Sequence, residues 1–248
     1  MTAGTASGCE ICCCTNTMSA KNGGAIAASG TALLTGCVIR RNFAYDLHGT
    51  ALHLSESAKA TKCLITDNET PRVAAFLTSS ALDSAVCVAS DSAEFSDSTV
   101  TRNFSARNGA VYQLAGTVRN CLIWGNDGCE PTSVGYDIGY KKLANVINCY
   151  YAAGNPDFVD PANDDFRLTA ASPVADGVGA FEKLPVGEDA ACSFAADKLA
   201  VIVGETVTFK ASAWNVEPEY YAWVQYHLDR QFSKVVAYAH SNGVYLKG

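Results

Sequence analysis

The sequence predicts an all-β chain that begins with a right-handed parallel β-helix at residues 1–183 and ends with a small, incomplete β-sandwich at residues 192–248. A linker at residues 184–191 is expected to join the two parts. Three observations carry this prediction. The composition favours short strands, a motif ending in asparagine recurs through the first part, and the hydrophobic pattern changes to strict alternation after residue 203.

The composition favours strands and turns over long amphipathic helices. Of the 248 residues, 48% are hydrophobic and only 17% are charged, and small or β-branched residues are interleaved with Gly, Ser, Thr and Asn. The best apolar run, Leu199–Val203, is far shorter than the roughly 18 residues of a membrane span. We therefore expect no membrane span in this sequence. Residues 1–8 lack the features of a secretory signal, so export would require a signal encoded upstream.

The charge balance argues against nucleic-acid binding. With 18 basic and 25 acidic residues, the chain has a formal net charge of −7, whereas binding to a phosphate backbone needs basic surface. An acidic glycan would also be repelled overall, unless a local basic strip received it. We therefore expect no nucleic-acid partner.

The main signal is an internal repeat whose copies each end in asparagine. The copies are Cys37–Asn42 (CVIRRN), Cys63–Asn68 (CLITDN), Ser98–Asn103 (STVTRN), Cys121–Asn126 (CLIWGN) and a weaker one at Ile11–Asn16 (ICCCTN). The asparagines lie 26, 26, 35 and 23 residues apart, so one unit is a coil of about two dozen residues. The third interval contains an insertion, which is expected to form a loop near residues 70–85. A second apolar strand follows the asparagine, as at Thr50–His53.

Stacked coils would place equivalent residues in columns about 4.8 Å apart. Cys37, Cys63 and Cys121 are expected in one inward column, and the isoleucines two residues later in another. The asparagines are expected to form a ladder at a corner, because Asn tolerates left-handed backbone and its amide can bond to neighbouring turns. The predicted ladder consists of Asn16, Asn42, Asn68, Asn103 and Asn126.

The chain has 11 cysteines, an odd number that does not suit a complete disulfide framework. Cys9, Cys12, Cys13 and Cys14 are bunched, so a metal cluster is one interpretation, although no histidine lies near them in sequence. The favoured interpretation is that the cysteines are small core residues.

The repeat resembles a known group of proteins. The stretch Gly23–Ile26 (GGAI), followed by Cys-x-Ile-x-x-Asn units, is similar to the short repeats of polymorphic outer-membrane proteins and other bacterial surface β-helix proteins of the pectin-lyase-like fold. Asn155–Leu168 and Ala171–Gly177 resemble the terminal segment of such domains. The resemblance covers about residues 1–183 and implies a secreted or cell-surface protein. It does not specify an activity, because this fold hosts lyases, hydrolases and adhesins alike.

The second part has a different pattern. Val203–Ala213 alternates strictly between apolar and polar residues, which is typical of a half-buried sandwich strand. Tyr221–Trp223 is expected to supply a core aromatic residue, and Ser241–Gly243 a turn. These segments resemble polycystic-kidney-disease-type immunoglobulin-like domains, although Val224–Asp229 (VQYHLD) stands where that family has Asp-Phe-Gly-Asp-Gly. The natural protein is expected to continue beyond residue 248.

No catalytic residue is predicted. A lyase of this fold would need a calcium-binding carboxylate cluster with an Arg or Lys base, and a glycoside hydrolase would need paired carboxylates. The carboxylates of the coils occupy different repeat positions; they are Asp46, Asp67, Asp91, Glu94 and Asp97. The sequence also lacks a Gly-x-Ser-x-Gly elbow, a Walker loop, His-Glu-x-x-His and a Rossmann fingerprint.

One column of charge is predicted on the surface. Arg41, Asp67 and Arg102 each precede a ladder asparagine, and Arg40 adds a charge beside them. The favoured interpretation is a salt-bridge ladder worth about 1 kcal/mol or less per exposed pair. Binding of an anion or an acidic sugar by these residues is the alternative.

Several other residues are candidates for ligand contact. His53 and Gln113 are expected at matching positions of the second strand, pointing outward beside Ala27, where solvated side chains are the alternative. Phe43 and Phe104 each follow a ladder asparagine, and a stacked corner pair is favoured over a sugar platform.

The densest group of oxygen ligands lies in the terminal segment. Asp157, Asp160 and Asp164 are candidate Ca²⁺ ligands, and no other cofactor is expected. The favoured role for this segment is to cover the unpaired edge at the end of the solenoid.

Together these features favour a non-catalytic extracellular structural or adhesive segment of a larger bacterial surface protein. Its expected partner is a polysaccharide, or a glycan or protein of a host surface. The first alternative is a carbohydrate-active enzyme, either a polysaccharide lyase or a glycoside hydrolase. The second is a fragment without autonomous function.

Overall fold

The chain forms two compact units, residues 1–187 and 188–248. The computed structural model describes residues 1–16, 23–44, 48–70, 84–105, 108–128, 135–185, 193–196 and 209–212. These residues form β-strands and two 3₁₀ turns, Leu143–Asn145 and Pro161–Asn163, and contain no α-helix. The prediction of an all-β chain is therefore confirmed. No helix in the described ranges is both long enough and apolar enough to cross a membrane.

The first unit is a parallel β-solenoid with four sheets, each of which receives one strand per coil. The first sheet consists of β1 (Thr5–Ser7), β5 (Leu33–Thr35), β9 (Lys59–Thr61), β13 (Glu94–Ser96), β17 (Thr117–Arg119) and β21 (Val146–Ile147). The second sheet consists of β2 (Glu10–Cys12), β6 (Val38–Arg40), β10 (Leu64–Thr66), β14 (Thr99–Thr101) and β18 (Leu122–Trp124). These strands contain the recurring motif, so the repeat corresponds to the coil.

Two further sheets complete each coil. The third sheet consists of β3 (Thr15–Asn16), β7 (Phe43–Ala44), β11 (Glu69–Thr70), β15 (Phe104–Ser105) and β19 (Asp127–Gly128). The fourth sheet consists of β4 (Ile26–Ala28), β8 (His48–Leu54), β12 (Ser84–Val88), β16 (Val111–Gln113) and β20 (Ile138–Tyr140). The third-sheet strands have two residues each, so they serve mainly to turn the chain.

The core is made of columns of like side chains along the solenoid axis. In the second sheet, Ile65 lies opposite Ile39 on one side and Val100 on the other, and all three are fully buried. In the first sheet, Phe95 lies between Ala60 and Val118. Hydrophobic burial thus selects the in-register stacking that the repeat predicts, because a slip by one residue would turn each column outward.

Left-handed backbone makes two corners of each coil. The corner between the first and second sheets has φ of 47° to 61° at Gly8, Gly36, Lys62, Asp97, Asn120 and Asn148. The corner between the second and third sheets has φ of 54° to 68° at Cys13, Arg41, Asp67, Arg102 and Gly125. Glycine, asparagine and aspartate are common here because they tolerate this conformation.

The residue that follows the first corner is the recurring cysteine. The Sγ atoms of Cys63 and Cys121 donate to the carbonyls two residues earlier, at 3.3 and 3.2 Å, and Ser98 makes the same bond at 2.6 Å. Burial raises the pKa of the Cys63 thiol to about 12, so it is protonated and unreactive at neutral pH. The nine cysteines in the described ranges are free thiols, and this column accounts for many of them.

The terminal segment packs on the side of the solenoid. It contains the antiparallel strands β22 (Phe158–Asp160) and β23 (Asp165–Leu168). Their aromatic residues Phe158 and Phe166 lie in one cluster with Leu64 and Leu122, on the outer face of the second sheet. The prediction that this segment caps the end of the solenoid is therefore wrong, since it covers a lateral face. The outward leucines of the repeat need apolar cover, which the segment supplies.

The second unit is described only at β24 (Ser193–Ala196) and β25 (Phe209–Ser212), which pair antiparallel. Strand β25 lies within the predicted strand Val203–Ala213. The predictions for Tyr221–Trp223 and Ser241–Gly243, and for most of the insertion loop, fall outside the described residues.

Candidate functional site

An asparagine ladder connects successive coils at the corner before the third sheet. The Nδ2 atoms of Asn42, Asn68 and Asn103 each donate to Oδ1 of the next ladder asparagine, at 2.9, 2.9 and 3.0 Å. Each also donates to a backbone carbonyl of the preceding coil, as Asn103 does to Ile65 at 3.0 Å. The ladder asparagines therefore satisfy their polar groups through one another, which is a structural role.

The first coil differs from the predicted ladder, and the ladder continues beyond Asn126 at the other end. Asn16 pairs with Ala44 in the third sheet, so it is not a ladder residue. Cys14 occupies the ladder position in the first coil, where its backbone N–H donates to Asn42 Oδ1 at 3.0 Å. At the other end, the buried carboxylate of Asp137 accepts from Asn126 Nδ2 at 3.0 Å. Burial raises the pKa of Asp137, although the hydrogen bonds from Asn126 oppose this effect.

The predicted charge column is joined by an aspartate from the terminal segment. Asp164 contacts Arg40 at 3.0 Å, Arg41 at 3.4 Å and Arg102 at 2.5 Å. Arg102 also pairs with Asp67 at 2.5 Å. Spacing alone could not reveal Asp164 as the partner, because it lies 62 residues beyond Arg102. We call Arg40, Arg41, Asp67, Arg102 and Asp164 the arginine cluster.

The arginine cluster is closed around Arg102. Its guanidinium donates to the carbonyl of Pro161 at 2.6 Å and lies 4.7 Å from the centre of the Phe166 ring. Partial burial raises the pKa of Asp164, but the hydrogen bond and charge of Arg102, with Arg40 and Arg41, outweigh it, and the net pKa is lowered. The geometry therefore favours a clamp that fastens the terminal segment, and the charges that an anionic sugar would need already have partners.

The calcium candidates do not converge. Asp157 accepts a hydrogen bond from Thr169 Oγ1 at 2.8 Å, Asp160 accepts one from Asn163 Nδ2 at 2.6 Å, and Asp164 faces the arginines. Each carboxylate thus has its own local partner. The arrangement fits two tight turns and an ion pair better than a shared oxygen cage.

The expected outward pair is wrong for Gln113 and for the exposure of both residues, whereas His53 does lie on the outer face opposite Ala27. Gln113 lies opposite Val88, whereas His53 lies opposite Cys87, so the two residues belong to different columns. Both are buried, with exposures of 4% for His53 and 0% for Gln113. Gln113 Oε1 accepts from the backbone N–H groups of Lys141 and Lys142, each at 3.1 Å, and so anchors the chain after β20.

His53 belongs to a group of potential metal ligands on the outer face of the fourth sheet. One ligand atom each from His48, His53 and Cys87 lies within 4.8 Å of the others. Burial, and to a smaller extent the charge of His48, lowers the pKa of His53, while burial raises the pKa of Cys87 to about 12. Sequence spacing could not indicate this group, because Cys87 follows the insertion in the third coil.

Two further groups of side chains complete the outer surface. Phe43 and Phe104 share a column, but Glu69 lies between them, so they do not stack directly. In the first sheet, Glu94 pairs with Lys59 at 3.2 Å and with Arg119 at 2.5 Å. The side chains of Lys59 and Arg119 are about half exposed, at 56% and 49%. Arg119 lies opposite Ser96 and not opposite Glu94, so the three charged residues form a strip across two neighbouring columns of an accessible face.

Comparison with protein-family models, with curated proteins and with solved structures found no match for the chain.

Proposed function

We propose that the chain is a non-catalytic structural or adhesive segment of an extracellular bacterial surface protein, and that it presents the outer face of the first sheet to a glycan or to a host-surface protein. The resemblance of the repeat to polymorphic outer-membrane proteins and of the second unit to polycystic-kidney-disease-type domains supports this location. A solenoid suits the role because stacked coils extend one flat surface over many residues.

The observation that carries the choice of face is the difference in burial between the sheets. On the second sheet, the outward residues Leu64 and Leu122 are covered by the terminal segment. On the fourth sheet, the outward residues His53 and Cys87 are buried. The first sheet instead exposes Lys59 and Arg119. Of the three sheets with longer strands, it therefore offers the most accessible charged and hydroxyl-bearing surface.

The first sheet also has the chemistry to contact a glycan. Thr35 and Thr61 lie in one outward column with the buried Ser96, and the charged strip of Lys59, Glu94 and Arg119 crosses the same face. Hydroxyl and charged groups at a spacing of about 4.8 Å can form hydrogen bonds with successive polar groups of an extended partner. The charged strip contains two cations and one carboxylate, so it has a small positive excess that the chain as a whole does not have.

The enzyme alternative finds less support in the geometry. The arginine cluster brings two carboxylates, Asp67 and Asp164, to a guanidinium, but the other contacts of Arg102 are Pro161 and the Phe166 ring. A catalytic acid or base needs an open side that faces substrate. The contacts of the arginine cluster instead hold the terminal segment against the solenoid.

The test is binding of the purified chain to a glycan array and to host matrix proteins. The double variant Lys59→Ala/Arg119→Ala should weaken a detected interaction by at least about tenfold, because it removes the exposed cations of the face. The matched variant Lys141→Ala/Lys142→Ala, which removes the same charge elsewhere, should bind as the unmodified chain does. Equal binding by the two variants would contradict the choice of face, and turnover of any polysaccharide would overturn the non-catalytic assignment.

A further inference from the structure

We propose that His48, His53 and Cys87 form a binding site for a zinc-like divalent metal ion on the outer face of the fourth sheet. Two imidazole nitrogens and a thiolate are a ligand set that zinc prefers, with the fourth tetrahedral position left to water. The site is independent of the proposed binding face, which lies on the first sheet.

Backbone geometry brings the three residues together. His53 and Cys87 are direct partners in the parallel pairing of β8 with β12, so their side chains point to the same side of the sheet. His48 is five positions before His53 in the same strand, a spacing at which a regular strand would hold the two side chains on opposite faces. The strand is irregular between these two residues, and their ligand atoms lie close together.

A bulge in β8 supplies that irregularity. Ser84 pairs with His48 and Val86 with Leu52, so β8 uses two more residues than β12 over the same interval. Gly49 has φ of 82° at this point, and a Cβ there would collide with the carbonyl oxygen of Leu52. This left-handed residue interrupts the alternation of the strand directly after His48, and the His48 ring lies near His53 and Cys87.

The ligand atoms are close enough for one ion. They lie within 4.8 Å of one another. Zinc bonds of about 2.0–2.1 Å to nitrogen and about 2.3 Å to sulfur place tetrahedral ligand atoms roughly 3.3–3.6 Å apart. The three groups would therefore approach by about 1 Å on binding, which rotation of the side chains can supply.

Burial without hydrogen bonding is the second observation. His53 is 4% exposed and Cys87 is fully buried. Within the described part of the chain, neither the His53 ring nor the Cys87 thiol forms a hydrogen bond, whereas the buried cysteines of the core column bond to carbonyls. Arg102 Nε is the one buried side-chain nitrogen or oxygen of the described residues that lacks a partner, so the buried orphan group of this site is the Cys87 thiol. A metal ion would bond to the His53 ring and to this thiol, and the proton displaced from Cys87 would pass to solvent.

The test uses the full chain, reduced and freed of metal, with Co²⁺ as the probe. Binding should produce a thiolate-to-cobalt charge-transfer band in the near ultraviolet, which added Zn²⁺ should abolish by displacement. Cys87→Ser should lose the band, and His48→Gln should weaken cobalt affinity by at least about 100-fold, the upper end of the effect of losing an outer-shell partner. A folded wild-type chain that shows no band would overturn the proposal.

Two controls separate this site from other thiols. Cys63→Ser removes a buried cysteine at a position where the next coil already has Ser98, so it should fold and keep the band. Cys12→Ser/Cys13→Ser removes exposed thiols near the first coil and should also keep it. A band that survives Cys87→Ser, or that disappears in the Cys12→Ser/Cys13→Ser variant, would contradict the site.

Loss of binding through misfolding is excluded by a separate measurement. His48 is only half-buried, so His48→Gln should leave the circular dichroism spectrum and the metal-free Tm unchanged. Zn²⁺ should raise the Tm of the unmodified chain, since a ligand bound to the folded state stabilises it. The same increase in the Tm of His48→Gln would contradict the proposal.

Discussion

At the scale of single residues, the ladder asparagines show how one side chain connects three coils. Asn103 donates to the carbonyl of Ile65 in the preceding coil and to Asn126 in the following coil. Its Oδ1 accepts both from the backbone N–H and from the side-chain amide of Asn68. The amide is 1% exposed, so water cannot replace these bonds if the side chain is lost.

We predict that Asn103→Ala lowers the free energy of unfolding by about 3 kcal/mol, because it leaves several buried donors and acceptors without partners. Urea unfolding followed by circular dichroism measures this loss. Asn163→Ala, at an exposed position with one side-chain hydrogen bond, should change it by less than about 0.5 kcal/mol. Equal effects of the two substitutions would contradict a structural ladder.

The corner residues make a second prediction. Lys62 has φ of 53° at a position where the preceding coil has Gly36. Lys62→Gly should stabilise the chain by up to about 1 kcal/mol, since glycine adopts left-handed backbone without strain, and Lys62→Val should destabilise it by about 1–2 kcal/mol. Thermal unfolding of the two variants should therefore shift Tm in opposite directions. A Tm increase for Lys62→Val would show that the corner is not left-handed.

Residue roles were predictable where the repeat itself encodes them. The motif identifies Asn42, Asn68, Asn103 and Asn126, because each closes one copy of the repeat and so takes the same position in its coil. It misassigned Asn16, since the first coil has cysteine at the ladder position and alignment on the asparagine shifts the register by two residues. Alternation placed His53 on the outer face correctly, but it could not show that this face is covered.

At the scale of elements, the terminal segment is held by two kinds of contact. Phe158 and Phe166 pack against the outward leucines of the second sheet, and Asp164 faces three arginines. Two of those arginines, Arg41 and Arg102, belong to the same corner column, with Asp67 between them. Asp164 therefore reduces the electrostatic repulsion among the three arginines that it contacts.

Replacement of Asp164 should loosen this segment. We predict that Asp164→Asn lowers the free energy of unfolding by about 1–2 kcal/mol, between the values for exposed and buried ion pairs. Asp176→Asn, at a carboxylate that is 92% exposed, is the matched control and should have little effect. Amide hydrogen exchange should locate the change within residues 155–185.

The same ion pairs predict a pH dependence. The folded-state pKa of Asp164 is lowered, so its contribution to stability is complete above the unfolded-state pKa of about 3.9 and is lost as the pH falls through the folded-state value. The stability difference between the unmodified chain and Asp164→Asn should be constant near pH 7 and should shrink below about pH 4. A difference that grows on acidification would contradict this assignment.

At the scale of the whole molecule, stability comes from contacts between neighbouring coils. Phe95 is fully buried in an inner coil, whereas Ile11 in the first coil is only partly buried. We predict a loss of about 3–5 kcal/mol for Phe95→Ala and about 1–2 kcal/mol for Ile11→Ala, because an end coil has a neighbour on one side only. Urea unfolding gives both values, and a larger loss for Ile11→Ala would contradict a solenoid in which stability increases toward the centre.

The sequence by itself determined the all-β class, the coil and the inward columns, because a repeat of fixed register carries its own alignment in space. Tertiary structure alone decided which lateral face is covered, which carboxylate neutralises the arginine column and which histidines meet Cys87. The physical reason is the range of the interactions. Columns arise between adjacent copies of one motif, whereas the arginine cluster depends on a segment outside the repeat, and the His48, His53 and Cys87 group depends on a bulge that the motif does not contain.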